Sequence, residues 1–259
     1  MNNTELYYEV RGSGPLVVLV GAPMGADAFA PLAELLADGY SVLTTDPRGI
    51  NRSRFTDGGT STPEQRADDL AWLIREVDRG PAVAFGSSGG AVSVLALAQN
   101  HPETVHKVIA HEPPLDRLVP DGDELLAKSE KLMADYLSGD TVGAWKQFFA
   151  LANIELPPGM AEQMFSGERD ADERFWFEHE MRESISWQPD IAKLQNVIVG
   201  IGEDSKGQLC DRTSTALAGL LGIEPTRFPG GHTGFADDPK TFEPALRRQL
   251  VEIDFHPGA

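Results

Sequence analysis

The chain of 259 residues has a length that suits one large α/β domain. Hydrophobic residues make up 41% and charged residues 24%, so the composition is that of a globular protein and excludes a disordered chain. The 40 acidic and 22 basic side chains give a net charge of −18, which argues against nucleic-acid and membrane-surface partners because both are polyanionic.

Three further absences narrow the class of protein. Cys210 is the one cysteine, so no intramolecular disulfide and no cysteine-based zinc site is expected, and its thiol is expected to be buried on a helix. The N-terminal residues lack the basic and apolar regions of a signal peptide. No run of residues reaches the ~18 apolar positions of a membrane span. The sequence therefore predicts a cytoplasmic protein.

Strands and helices are predicted to alternate up to residue 111. Apolar runs between turn signals predict strands over 6–10, 16–20, 41–45, 81–86 and 105–111. Helices are predicted from the spacing of Phe29, Leu32, Leu35 and Leu36, from a capping sequence at 62–65, and from small residues over 90–99. Strands separated by helices favour a parallel sheet that is covered on both faces.

The alternation stops after Glu112 and resumes near residue 196. Apolar residues recur at helical spacing from 123 to 187, after which strands are predicted over 196–201 and 226–228 and helices over 208–221 and 239–251. A helical insertion in an α/β chain is typical of a core domain that carries a lid. The sequence therefore predicts a core formed by 1–112 and 189–259, with a helical lid or cap over 113–188.

A glycine-flanked serine follows the strand predicted over 81–86. Gly86, Ser88 and Gly90 match the pattern G-x-S-x-G between a predicted strand and a predicted helix. Such a turn presents a nucleophilic serine at the edge of the sheet, and the N–H of Gly89 at the helix start can bind an oxyanion. A phosphate-binding turn and a plain tight turn are the alternatives. Ser87 lacks the glycine spacing.

Together with this motif, three other segments resemble the α/β-hydrolase superfamily, and the resemblance covers nearly the whole chain. Val-Gly-Ala-Pro-Met-Gly at 20–25 is similar to the family's oxyanion loop, often His-Gly-x-Pro, with Val20 in place of the histidine. Asp-Pro-Arg-Gly-Ile-Asn-Arg-Ser at 46–53 is similar to its Asp-x-Arg-Gly-x-Gly-x-Ser loop, with Asn51 in place of a glycine. Gly-Gly-His at 230–232 is similar to its Gly-His base motif.

The resemblance implies the α/β-hydrolase fold, with a mostly parallel central sheet flanked by helices and an all-helical lid inserted after the sixth strand. It also implies a triad in the order Ser…acid…His and an oxyanion hole formed by the N–H groups of Ala22 and Gly89. His232 has the matching position, in a glycine-flanked loop after the last predicted strand. His111, at the end of a strand, is the alternative base.

The acid of the triad is left open between carboxylates at two strand ends. Asp204 is the leading candidate, because it follows the strand that carries the acid in most of the family. Glu112 ends the preceding strand, a position that some lipase-like members use, and Glu203 adjoins Asp204. The role requires one carboxylate bonded to the far nitrogen of the histidine, where it fixes the tautomer.

Aromatic and methionine side chains recur through the predicted lid. Most of them are expected to pack the lid against the core. The candidates for substrate binding are Trp145, Phe149 and Trp176, together with Met24 of the oxyanion loop. Arg48 is expected to form a structural ion pair beside the site.

These residues predict a serine hydrolase that needs no cofactor and no metal. Ser88, activated by His232, attacks an apolar ester, thioester or lactone and forms an acyl-enzyme. The expected partner is a small apolar molecule, without nucleic acid or membrane, and the chain is expected to be a monomer or homodimer. A C–C or amide-bond hydrolase and a perhydrolase use the same triad, and a non-catalytic ligand receptor uses the same fold. These are the alternatives.

Overall fold

The computed structural model describes residues 4–55, 59–167 and 170–251. Its strands are β1 Thr4–Glu5, β2 Tyr8–Arg11, β3 Leu16–Val20, β4 Ser41–Thr45, β5 Arg54–Phe55, β6 Ala82–Ser87, β7 Val105–His111, β8 Val197–Gly202 and β9 Thr226–Phe228. One sheet has the order β2-β4-β3-β6-β7-β8-β9, in which β2 is antiparallel to β4 and the other neighbours are parallel. β1 and β5 form a separate antiparallel pair. The predicted mostly parallel sheet is confirmed.

Helices cover both faces of this sheet. They are α1 Ala26–Leu36, α2 Pro63–Val77, α3 Gly89–Asn100, α4 Gly122–Ser138, α5 Thr141–Ala152, α6 Met160–Phe165, α7 Ala171–His179, α8 Met181–Ser186, α9 Leu209–Leu221, α10 Gly234–Asp237 and α11 Pro239–Val251. Side chains of α1 and α11 pack on one face, and those of α2, α3 and α9 pack on the other. Every residue of β3 and β6 is therefore buried. Within the described ranges, no helix is both long and apolar enough to cross a membrane.

The start of α2 shows how the sequence fixes a helix end. The Thr62 hydroxyl accepts a hydrogen bond from the Gln65 N–H at 3.2 Å, and the Gln65 side chain accepts one from the Thr62 N–H at 3.0 Å. This reciprocal capping box satisfies two N–H groups that a helix start leaves unpaired. The helix then holds Asp69 against Arg48 in a buried bidentate pair at 2.6 and 2.7 Å, so the predicted structural ion pair of Arg48 is confirmed.

The chain between β7 and β8 is helical in its described part and contains α4 to α8. These helices have a small apolar core of their own. We call residues 113–188 the helical segment. Two hydrogen bonds attach it to α2: the Arg66 guanidinium donates to Ser184 at 2.8 Å, and the Trp187 indole N–H donates to Glu64 at 2.7 Å. The resemblance implies an insertion after the sixth strand. In the structure the helical segment follows the fifth strand of the main sheet, because β1 and β5 pair outside that sheet.

Candidate active site

Three of the predicted site residues lie just beyond the carboxyl ends of parallel strands. Ser88 follows β6, Glu112 follows β7, and His232 lies in the loop after β9. Parallel strands end at one edge of their sheet, so the three residues meet at that edge although they are far apart in the chain. Ser88 and His232 both line one cavity there.

The backbone at Ser88 forms the sharp turn from β6 into α3 that the sequence predicts. Its φ of +57° and ψ of −126° are rarely adopted by residues with a side chain, so the turn stores strain. The Ser88 N–H donates to the His111 carbonyl at 3.0 Å, which ties the turn to β7. A Cβ at Gly86 would lie 2.2 Å from the Gly90 oxygen, and a Cβ at Gly90 would lie 2.2 Å from the Val20 oxygen. The turn therefore requires glycine at both positions.

Glu112 is the carboxylate that contacts His232. Its Oε2 lies 2.6 Å from Nδ1 of His232, and its Oε1 accepts a hydrogen bond from the Gly202 N–H at 2.8 Å. The Glu112 side chain is 0% exposed. Burial has the largest single effect and raises the pKa of this carboxyl, but the hydrogen bond to His232 and the smaller contributions of neighbouring groups together outweigh it and lower the pKa to about 2. Glu112 is therefore ionised at neutral pH and fixes the Nδ1–H tautomer of His232.

The same contact acts on the histidine. Burial lowers the pKa of His232, whereas Cys210 and Glu112 raise it, and the net shift is upward. Burial raises the pKa of the Cys210 thiol, and a protonated thiol carries no charge that could favour an imidazolium. At neutral pH the carboxylate of Glu112 is therefore the main cause of the raised His232 pKa.

The leading sequence prediction for the acid, Asp204, is corrected by this geometry. Asp204 is exposed in a short turn after β8, and its N–H donates to the Gly230 carbonyl at 3.0 Å. Its backbone thus supports the loop that carries His232, while the carboxylate in contact with the ring belongs to Glu112. The neighbouring Glu203 is also exposed.

Ala22 and Gly89 lie side by side next to Ser88. A Cβ on Gly89 would be 2.5 Å from the Ala22 oxygen, so the two backbone segments are in close contact. Gly89 is the first residue of α3, where N–H groups have no partner within the helix and the helix dipole is positive. Both residues line the cavity that Ser88 and His232 share.

The cavity has a volume of about 330 Å³ and a mainly apolar wall. Most of this wall belongs to the helical segment, whose contribution includes Phe148, Phe149, Leu151, Ile154, Trp176 and Ile185. Cys210 of α9 also lines the cavity, next to His232. A pocket of this size and polarity suits a small apolar molecule.

Of the four predicted substrate-binding residues, Phe149 and Trp176 line the cavity, and Met24 and Trp145 do not. The Trp145 ring stacks on Trp176 with the ring centroids 5.4 Å apart, and its indole N–H donates to Glu173 at 2.9 Å. Met24 packs against the apolar cluster beside α1. Helical spacing alone did not distinguish the two sides of α5, because both carry aromatic residues.

A second serine–histidine pair lies below the site. The Ser87 hydroxyl is 3.0 Å from Nδ1 of His111, and both residues are 0% exposed. The His111 ring is surrounded by phenylalanines, including Phe85 and Phe228. Burial lowers the pKa of His111 to about 4. Neither residue lines the cavity, so the alternative base His111 has no access to a substrate there.

Sequence reasoning missed several polar residues in the cavity wall, among them Asp116 and Ser129. Asp116 lies in a short turn after a Pro-Pro pair, and Ser129 lies in the middle of α4. Neither belongs to a motif, and the sequence carries no signal that would have found them. In the described ranges, no group of three or more His, Cys, Asp or Glu side chains is placed to hold a metal ion.

Comparisons with known proteins agree with this fold. A family model for the alpha/beta hydrolase fold matches residues 14–151. The chain is 33% identical to "Uncharacterized hydrolase YraK" of Bacillus subtilis (strain 168), over 97% of this chain and 94% of that protein. It is 31% identical to zearalenone hydrolase of Bionectria ochroleuca, over 56% of this chain and 59% of that protein.

Among solved structures, an alpha/beta hydrolase from Sphaerobacter thermophilus matches with a TM-score of 0.68 and 26% identity, over 96% of this chain and 97% of that one. The family match covers more than half of the chain, and the curated relative from Bacillus subtilis covers nearly all of it. The chain therefore belongs to the α/β-hydrolase fold family, as its motifs predict, and is a hydrolase.

Proposed function

We propose that the protein is a serine hydrolase that cleaves an uncharged, mainly apolar ester, thioester or lactone. The observation that carries this proposal is the shared cavity wall: the strained Ser88 and His232, whose ring contacts Glu112, border the same mainly apolar cavity. A serine hydroxyl becomes an effective nucleophile only beside a base, and a base held by a buried carboxylate is the arrangement that this chemistry needs.

In the proposed mechanism, His232 takes the proton of Ser88 through Nε2 as the serine oxygen attacks the carbonyl carbon. Glu112, hydrogen-bonded to Nδ1, stabilises the imidazolium that forms. The N–H groups of Gly89 and Ala22 stabilise the oxyanion. His232 then protonates the leaving group, and the resulting acyl-enzyme is hydrolysed by a water molecule that the same histidine activates.

The lining of the cavity supports an uncharged substrate. The described residues that line it include aromatic and aliphatic side chains but no lysine or arginine. An anionic acyl group would therefore lose its hydration without gaining a cationic partner, and that loss is costly. Esters, thioesters and lactones share an electrophilic carbonyl, so one triad serves all three.

The test is covalent labelling with an uncharged alkyl fluorophosphonate, followed by an assay on esters of increasing acyl length. We expect the wild-type protein to be labelled at Ser88 and to hydrolyse apolar esters, and Ser88→Ala to lose both properties. Ser87→Ala is the matched control, because that hydroxyl contacts buried His111 and not the cavity. Labelling that persists in Ser88→Ala, or a wild-type protein that is never labelled, would contradict the proposal.

The pH dependence follows from the raised pKa of His232. The active base is the neutral imidazole, so kcat/KM should fall on acidification as His232 is protonated. The midpoint of this fall should lie above the ordinary histidine value of ~6.5. The measurement is kcat/KM for a neutral ester across the pH range, with thermal unfolding at each pH to show that the protein stays folded. A rate that stays constant through acid pH would exclude a histidine base.

The helical segment is proposed to act as a lid that roofs the site and selects the substrate. Removing a side chain of its cavity wall, in Phe149→Ala, should shift the preference toward longer or bulkier acyl groups by on the order of tenfold in relative kcat/KM. Trp145→Ala is the matched control from the same helix: its ring contacts Phe149 and Trp176 but does not line the cavity, so we expect a lower Tm and unchanged relative rates. Equal behaviour of the two variants on the ester series would argue against this lid.

A further inference from the structure

Two polar side chains in the cavity wall have no part in the proposed mechanism and each carry a buried atom without a hydrogen-bond partner. Asp116 lies in the short turn Asp116–Leu118 that follows β7, and Ser129 lies in α4. Both are only 1% exposed, and both line the cavity that contains Ser88 and His232. They are thus placed where a bound substrate would be, within a mainly apolar surface.

Neither side chain is satisfied by the protein. Among the described residues, Oδ1 of Asp116 and Oγ of Ser129 have no hydrogen-bond partner. Buried polar groups nearly always have a hydrogen-bond partner, so two unsatisfied polar atoms in the wall of one cavity require an explanation. Burial raises the pKa of Asp116 to about 7, with Asp121 raising it further and Arg212 lowering it. The free protein therefore bears an energetic cost here that a ligand can relieve.

We propose that Asp116 and Ser129 form a subsite that binds a hydroxyl group of the substrate, at a distance from the carbonyl that Ser88 attacks. The inference rests on the proposed function and adds a feature to its substrate class. The substrate is then an apolar ester, thioester or lactone that carries an alcohol or phenol hydroxyl.

The choice of a hydroxyl follows from counting donors and acceptors. A hydroxyl has one proton and two lone pairs, so it can donate to Oδ1 of Asp116 and accept from the Ser129 hydroxyl. Both orphan atoms are then satisfied without burying a charge on the ligand. An ammonium has three protons and no acceptor, and it would have to give up its hydration inside a mostly apolar wall. A carboxylate would lie against an acidic side chain.

The experiment measures binding and turnover on the same ligands. The ligands are medium-chain esters that each carry one hydroxyl, placed at a different carbon in each ester. The unsubstituted ester is the reference, and a parallel series carries an ammonium group in place of the hydroxyl. Binding is measured by calorimetry in the Ser88→Ala background, where the proposed mechanism predicts no turnover. We expect one hydroxyl position to bind at least about tenfold more tightly than the unsubstituted ester.

The variants separate a binding role from a structural one. Asp116→Leu and Ser129→Ala, each combined with Ser88→Ala, should reduce this hydroxyl preference about tenfold, with Asp116→Asn in between. Asp123→Asn is the matched control, since that carboxylate is 96% exposed on α4, and its preference should equal that of Ser88→Ala alone. Asp116→Leu should also raise Tm, because it removes a buried carboxyl whose Oδ1 has no partner among the described residues, whereas a structural role would make it lower Tm.

The possible outcomes are distinct. The proposal is overturned if no hydroxyl position improves binding, if the ammonium esters bind best, or if the preference survives in the Asp116 and Ser129 variants. Should Asp116→Leu fail to fold, Asp116→Asn and Ser129→Ala decide the question. Failure of the proposed function has a different signature: Ser88 would not be labelled and no ester would be hydrolysed, while the hydroxyl preference in binding could still be measured.

Discussion

Replacing Ser88 by alanine should lower kcat/KM for an apolar ester by about 10⁴-fold or more. The substitution removes the hydroxyl that His232 is proposed to activate for attack on the substrate, and the members of a triad act as a unit. Any residual rate would come from the oxyanion donors and from substrate binding. The measurement is initial hydrolysis rates under conditions where substrate is below KM, with folding checked by circular dichroism.

A second substitution at the same position separates chemistry from backbone strain. Ser88 has a φ of +57°, which glycine adopts at little cost. Ser88→Gly should therefore be as inactive as Ser88→Ala but more stable than it, by up to about 1 kcal/mol in the free energy of unfolding. If Ser88→Ala retained more than a few per cent of wild-type activity, Ser88 would not be the nucleophile.

The second large effect is expected at Glu112. Glu112→Gln should lower kcat/KM by about 10³- to 10⁴-fold, because an amide can present an N–H to Nδ1 and so favour the wrong tautomer of His232. It should also lower the midpoint of the pH profile, since the carboxylate that raises the pKa of His232 is gone. Steady-state kinetics across the pH range measure both effects.

Asp204→Asn is the control for that substitution. Its carboxylate is exposed, and the contact with His232 belongs to Glu112, so we expect kcat/KM to change by less than about threefold. The reverse result, with Asp204→Asn nearly inactive and Glu112→Gln active, would restore Asp204 as the acid. Both variants should be compared by Tm, because Glu112 is buried and its amide could also alter stability.

The stability effect at Glu112 has a definite sign with pH. Its pKa is lowered to about 2 from an ordinary 4.5, so ionised Glu112 stabilises the folded state. This contribution is fully present above pH 4.5 and is lost as the pH falls through 2. The difference in Tm between wild type and Glu112→Gln should therefore be smallest in acid.

The sequence predicted the core strands well, because long apolar runs between turn residues have few alternatives. The strands predicted over 16–20, 41–45, 105–111 and 226–228 have the bounds of β3, β4, β7 and β9. The short pair β1 and β5 was not predicted, since two residues carry no periodicity. The turn at Ser88 was predicted because close backbone contacts require glycine on both sides of it, and this requirement is visible in the sequence as the pattern G-x-S-x-G.

The site could be predicted only in part, because orientation in space decides the rest. β7 and β8 are neighbours, with His111 opposite Gly200, so Glu112 and Asp204 both reach the same edge of the sheet. Only the conformation of the turns determines which of them contacts His232. Orientation also decides which of Trp145 and Phe149 lines the cavity, because the two share one helix. For Asp116, the lack of a hydrogen-bond partner at Oδ1 depends on helices that are far from it in sequence.

The helical segment begins at residue 113, directly after the proposed acid Glu112, yet Glu112 is anchored to β8 rather than to the segment. Its N–H donates to the Gly200 carbonyl at 3.0 Å, and its Oε1 accepts from the Gly202 N–H at 2.8 Å. Backbone and side chain are thus both held by the sheet. The helices that follow can therefore diverge in sequence, or shift to admit a different ligand, while the carboxylate keeps its place. Substrate range and reaction chemistry can change independently in such a scaffold.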